Sequence, residues 1–182
     1  NNRYDQPANW RELSRFSLSG TDGFHDTIRD WNKSMGNADL KFFKMDDLSK
    51  LGYIGVLKLL KDNPEFSDTL PEKRGLFFGN TSSSLASDIR HVAAIGAAED
   101  DLKASPAIFV YTLPNVVLGE ICIKNKFKGE NTFFVFNPSE KINATEILLR
   151  NASLSGMELV VAGWCDLIGE KYDLNIGLYK KV

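Results

Sequence analysis

The sequence lacks a basic excess. Its 182 residues carry 22 Lys and Arg against 24 Asp and Glu, a formal charge of -2. That removes the electrostatic footprint by which proteins neutralise nucleic-acid phosphates. It also lacks long hydrophobic runs: the greasiest stretches are cut by Glu120, Lys124 or Asp166, short of the roughly 18 apolar residues of a membrane helix. The first residues, Asn1-Asn2-Arg3-Tyr4-Asp5, form no apolar signal region. Cysteine is scarce. Cys122 and Cys165 both lie in apolar runs, where a buried free thiol is expected rather than a disulfide, which fits a reducing cytoplasm. With 14 Gly and 6 Pro the chain is neither fibrous nor disordered. What is present, 43% hydrophobic and 25% charged residues, suits a single domain with a real core. Three sequons begin at Asn80, Asn143 and Asn151, and each reads as turn or cap chemistry.

The first 40 residues are polar, with Trp10, Phe16, Phe24 and Trp31 as scattered anchors and Gly20, Gly23 and Gly36 marking turns. They predict short helices and loops. From Asp46 the spacing of Leu48, Leu51, Ile54, Leu57 and Leu60 predicts a helix, capped by Asp46 or Asp47 and stopped at Asn63-Pro64. Gly75-Leu76-Phe77-Phe78-Gly79 suits a buried strand, and residues 80–84 supply turn and cap residues for a helix to about Ala98. That helix has Leu85, Ile89, Val92, Ala93 and Ile95 as its apolar face, followed by an acidic run at residues 99–101. Residues 105–115 read as an extended segment ending where Pro114 opens a helix to about Phe127. Val116, Val117, Leu118, Ile121, Cys122 and Ile123 cover most of that helix, which predicts burial on more than one side. Residues 132–136 read as a strand, broken by Asn137-Pro138-Ser139 before a helix with Ala144, Ile147, Leu148 and Leu154 that Gly156 ends. A continuous apolar strand at residues 158–164 and a half-exposed one carrying Leu174, Ile176 and Leu178 complete a βαβ-plus-β order.

Three blocks in this order carry a family resemblance. Ser105-Pro106 through Pro114-Asn115 and Gly119 is similar to a proline and asparagine entry into a buried helix. Lys128-Gly129-Glu130-Asn131 resembles a Lys-Gly-Pro-Asn turn, with Glu130 in place of proline. Gly156 through Val160-Val161-Ala162-Gly163 to Asp166 resembles a strand ending in Gly-Gly-Ala-Glu, with Trp164 in place of the second glycine. Residues 75–166 together resemble the N-terminal half of a β-ketoacyl synthase, or ketosynthase, of the thiolase superfamily. The resemblance implies an α/β thiolase-like half-domain with a mixed, mainly parallel sheet and helices on both faces. It divides the single domain 1–182 into an irregular or helical extension, 1–40, and a thiolase-like core, 41–182.

In that family a cysteine opens the helix after the second block, where helix N–H groups favour a thiolate. Here the position falls on Pro138, or on Ser139 with one residue of slippage, with Asn137 beside it. Proline cannot be a nucleophile, and serine needs a base. The family's two histidines, or histidine and asparagine, belong to its second half. His25 and His91 precede the position and match no family motif, so structural roles are expected of them. Cys165, at a strand end, is the candidate replacement nucleophile set against a buried thiol. Glu120, inside an apolar helix, is a candidate functional carboxylate, with a lysine or backbone partner as the structural alternative. Ser82-Ser83-Ser84 lacks the glycine and lysine of a phosphate loop and reads as a cap.

The resemblance implies that the helices at residues 114–127 and 144–155 carry apolar surface that the other half covers in complete family members. The first 40 residues, a second copy, or a separate ketosynthase-like chain would cover it. It further implies that the strand at residues 132–136 pairs with a twin across a dimer interface. The expectation is a homodimer or a heterodimer with an active ketosynthase, possible contact with acyl carrier protein, and no cofactor or metal. The function implied is a noncatalytic accessory subunit, a pseudoenzyme of fatty-acid or polyketide assembly. The alternatives are a condensing acyltransferase acylated at Ser139 or Cys165 inside a complex whose partner supplies the base, or a thiolase-fold interaction module without acyl chemistry.

Overall fold

Runs of buried apolar residues set the middle of a five-stranded sheet in the computed structural model, which describes residues 9–61, 63–96 and 106–182. The strands are β1 (Trp10–Gly20), β2 (Arg74–Asn80), β3 (Asn131–Val135), β4 (Leu159–Ile168) and β5 (Lys171–Lys181), in the spatial order β1-β5-β4-β2-β3. β2 pairs in parallel with both β3 and β4, while β5 runs antiparallel to β4 and β1. Every residue of β2 and the first seven of β4 are buried. That is why both read as continuous apolar runs: each is covered on two faces.

The helices are α1 (Phe24–Ser34), α2 (Asp47–Lys61), α3 (Pro64–Asp68), α4 (Leu85–Gly96), α5 (Pro106–Val110), α6 (Val116–Asn125) and α7 (Ala144–Leu154). Side chains alternate across the strands. Leu76 and Phe78, Val161 and Cys165, and Leu174, Ile176 and Leu178 share one core with α1, α2 and α6. Phe77, Val160, Ala162, Trp164 and Tyr179 share the other with Phe136 and α7. The α2 start lies at the predicted cap: Asp46 Oδ1 accepts from the Ser49 N–H at 3.0 Å. Gly55 lets α2 lie directly on β5, because a Cβ there would meet Leu174 Cδ2 at 2.4 Å.

The fold corrects several local expectations. The first 40 residues are not only helices and loops, because β1 pairs with β5 along its whole length. Phe16 and Leu18 alternate with Ser17 and Ser19 and pack on the core; the period of two is real but sits among polar residues on a sheet edge. Residues 106–115 are not extended. They form α5 and turns whose bonds are local, as from the Tyr111 N–H to the Ile108 carbonyl; Ser105 lies outside the described residues, as do Ala98 and the acidic run. α6 buries Val117, Leu118 and Ile121 but leaves Ile123 in solvent, so one of its sides stays open. β5 is more enclosed than half-exposed, with Tyr172, Leu174, Ile176, Leu178 and Tyr179 all buried between its two neighbours. In α4 the apolar stripe points outward, and Ser87 is the residue that is buried.

Candidate functional site

β3 leaves the sheet at Phe136, whose N–H donates to the Asn80 carbonyl at 2.7 Å. Asn137 then opens a 3-10 turn, Pro138–Asn143, which runs into α7. The Glu140 carboxylate accepts from the Asn137 N–H at 2.8 Å and closes a capping box. The leading turn is therefore capped by the chain's own carboxylate.

This turn borders an open cleft of about 670 Å³. Pro138, Ser139, Ile142 and Thr145 form one wall, Trp164 of β4 the floor, and Arg15 of β1 with Asp173 and Asn175 of β5 the other wall. The cations are internally matched. Lys141 pairs with Asp173 and holds its ammonium 5.3 Å from the centre of the Trp164 ring. Arg15 donates to Asn175 Oδ1 and to the Tyr179 hydroxyl, each at 2.7 Å, and pairs with Glu12. Hydrogen bonding from Arg15 holds the Glu12 carboxyl below its usual range, and burial pushes the Tyr179 phenol up to about 12. Trp164 is buried, its ring 6.1 Å from that of Phe136, and so fills the space beneath the turn.

The sequence-derived candidates are dispersed. Pro138 and Ser139 lie on the cleft, and Ser139 is exposed. Neither histidine lines it: His25 sits 3.9 Å from Asp47 at the start of α2, and the His91 ring lies 5.6 Å from that of Phe109. Cys165 belongs to the opposite core and is fully buried, with Sγ 4.0 Å from the Leu48 carbonyl. Burial raises its thiol well above the usual range and pushes Cys122 up to about 11, so neither is a thiolate near neutrality. Glu120 has the expected lysine partner: Lys41 Nζ lies 2.6 Å from Oε2, and the Tyr111 hydroxyl donates to Oε1 at 3.3 Å. The serine run forms a turn, with Asn80 bonded to the Ser83 backbone, and Ser84 Oγ donates to the Thr112 carbonyl at 2.6 Å and does not cap α4.

Arg15, Lys141, Asp173 and Asn175 were not singled out from sequence. Asp173 and Asn175 were legible as the polar half of an alternating strand, but Arg15 joins them only through the β1–β5 pairing. The second block bends at Gly129, whose N–H donates to the Arg74 carbonyl at 3.1 Å, and leads into β3.

The mixed sheet, with α7 on one face and α2 and α6 on the other, is a thiolase-like α/β fold. No family model and no curated protein matches the sequence. Solved structures do match it. A ketosynthase in complex with its chain length factor from Xenorhabdus doucetiae aligns with 96% of this chain and 79% of that one, at 11% identity and a TM-score of 0.66. The ishigamide ketosynthase/chain length factor aligns with 96% of this chain and 62% of that one, at 14% identity and a TM-score of 0.71. A type II polyketide synthase acyl-carrier protein in complex with its ketosynthase bound to the hexaketide gives 94% and 62%, at 13% identity and a TM-score of 0.67. The chain spans less than two thirds of the latter two. At these identities the likeness is one of fold, a ketosynthase-like one. Among the described residues no helix is long and apolar enough to cross a membrane.

Proposed function

We propose that this chain is a noncatalytic, ketosynthase-like partner subunit of polyketide or fatty-acid assembly, and that it pairs with an active ketosynthase as a chain length factor does. The observation that carries this reading is the turn after β3. Where the family resemblance calls for a cysteine, the chain has Asn137-Pro138-Ser139 in a self-capped 3-10 turn above a buried indole. A serine there would need a base to be acylated. The Lys141 ammonium beside it is already paired with Asp173, and both histidines lie elsewhere. Two of the similar solved structures are pairs of a ketosynthase with a chain length factor, and β3, an edge strand, is open to pairing.

The test is co-expression with a type II polyketide ketosynthase, followed by an acyl-thioester donor and intact-mass measurement of both chains. The expected result is a stable pair in which only the ketosynthase gains acyl mass. An acyl adduct on this chain would transfer the reading to the acyltransferase alternative. A chain that forms no pair would favour the unrelated interaction module.

A further inference from the structure

Residues 39–45 wind as successive 3-10 turns. The Phe42 N–H donates to the Asp39 carbonyl at 3.1 Å, the Lys44 N–H to that of Lys41 at 2.9 Å, and the Met45 N–H to that of Phe42 at 3.2 Å. In such turns side chains three apart eclipse one another, so the segment has three sides. Phe42 and Met45 form the inner one and are buried in the core. Leu40 and Phe43 form an exposed apolar row, and Lys41 and Lys44 an exposed cationic row beside it.

Ion pairs fix this ridge against α6. Lys41 Nζ lies 2.6 Å from Glu120, and Lys124 Nζ lies 3.1 Å from Asp39. Residues three and four apart are neighbours on a helix surface, so Ile123 shares a side of α6 with Glu120 and comes up beside the ridge, with Lys126 at the helix end. Leu40, Phe43 and Ile123 are 63% to 78% exposed. They are protruding tips, whereas the apolar core of a protein interface is a close-packed patch.

Charge completes the pattern. Lys41, Lys44, Lys124 and Lys126 stand against Asp39 and Glu120, a local positive surplus on a chain whose formal charge is -2. The carboxylates next along the chain are engaged elsewhere: Asp46 is buried and bonded by Ser87, and Asp47 pairs with Lys50 and Arg90. Apolar tips that enter the headgroup boundary, with lysines level beside them, are what a negatively charged bilayer surface attracts.

We propose that the ridge of residues 40–44, together with Ile123 and Lys124 of α6, docks this protein on an anionic lipid bilayer. The contact is peripheral and needs no helix that crosses the membrane. It does not depend on the proposed function.

The test is co-sedimentation of the full chain with vesicles of phosphatidylcholine, either alone or with about 30% phosphatidylglycerol. Wild type is expected to bind the anionic vesicles at least about 10-fold more tightly, and the excess should fall as salt rises from about 0.1 M to about 0.5 M and screens the lysines. Leu40→Ser with Phe43→Ser should weaken that binding at least about 10-fold, with the circular-dichroism spectrum and thermal midpoint unchanged because both side chains point away from the core. Should the serines disturb folding, Lys44→Glu is read in their place, with at least about a 5-fold loss on the anionic vesicles expected. A folded variant that binds as wild type does overturns the surface. Wild type that ignores the anionic vesicles, or binds the neutral ones equally well, overturns the bilayer as occupant. Capture of polyglutamate in place of vesicles, lost in the same variants, would give the ridge to an acidic protein instead.

Discussion

Ser87 Oγ donates to Asp46 Oδ2 at 2.8 Å, and both side chains are buried. The other oxygen of the same carboxylate caps α2. One aspartate thus ties the inner side of α4 to the start of α2, and it is this polar anchor that leaves the apolar side of α4 facing out.

Asp46→Ala removes the cap and strands the Ser87 hydroxyl in a buried setting. Stability is expected to fall by about 2–3 kcal/mol, read from urea unfolding midpoints. Asp46→Asn keeps an acceptor for the Ser49 N–H and should cost less than half as much. Equal losses in the two variants would show that the anchor does not act through these bonds.

Gly163 has φ +152, and a Cβ there would stand 2.2 Å from the Asn175 carbonyl oxygen. Gly163→Ala is therefore expected to cost about 3 kcal/mol or more, since backbone must move between β4 and β5. Thermal unfolding measures it. Gly156→Ala, at a left-handed helix end with open space around it, should cost only about 1 kcal/mol.

Burial pushes Cys122 up to about 11 and Tyr111 and Tyr179 up to about 12, and it raises Cys165 and Tyr53 as well. These groups keep their protons in the fold after the unfolded chain has begun to lose them. Above about pH 9 the unfolded state binds fewer protons, so stability falls as pH rises. Unfolding midpoints from pH 8 to 11 should decline steadily, and a flat profile would contradict the burial of these groups. In the same range a thiol reagent should label Cys165 only on unfolding.

Ser139→Ala is expected to leave condensation by the paired complex within about twofold of wild type, because no base stands ready to activate that hydroxyl. A loss of about 100-fold or more, with the pair intact, would give Ser139 a covalent role.

The parts that were legible in the sequence share a reason. α2, β2, β4 and α7 each bury a face whose period is written in consecutive residues, so local pattern and tertiary role coincide. β1 was missed because an edge strand needs apolar residues on one face only, and Phe16 and Leu18 are few among serines and charges. The cleft was half visible: residues 137–139 stood out through the family resemblance, whereas Arg15 reaches Asn175 and Tyr179 only through the β1–β5 pairing.

By itself the sequence determined an α/β order of elements, a helix cap at the start of α2, a buried thiol at Cys165 and a chain break at Asn137-Pro138. Those follow from residue type and spacing, which act locally. The facing of α4 was decided only by tertiary structure. Its periodicity announced an apolar stripe, but whether that stripe meets the core or the solvent depended on Asp46, 41 residues away from Ser87, taking the polar side inward.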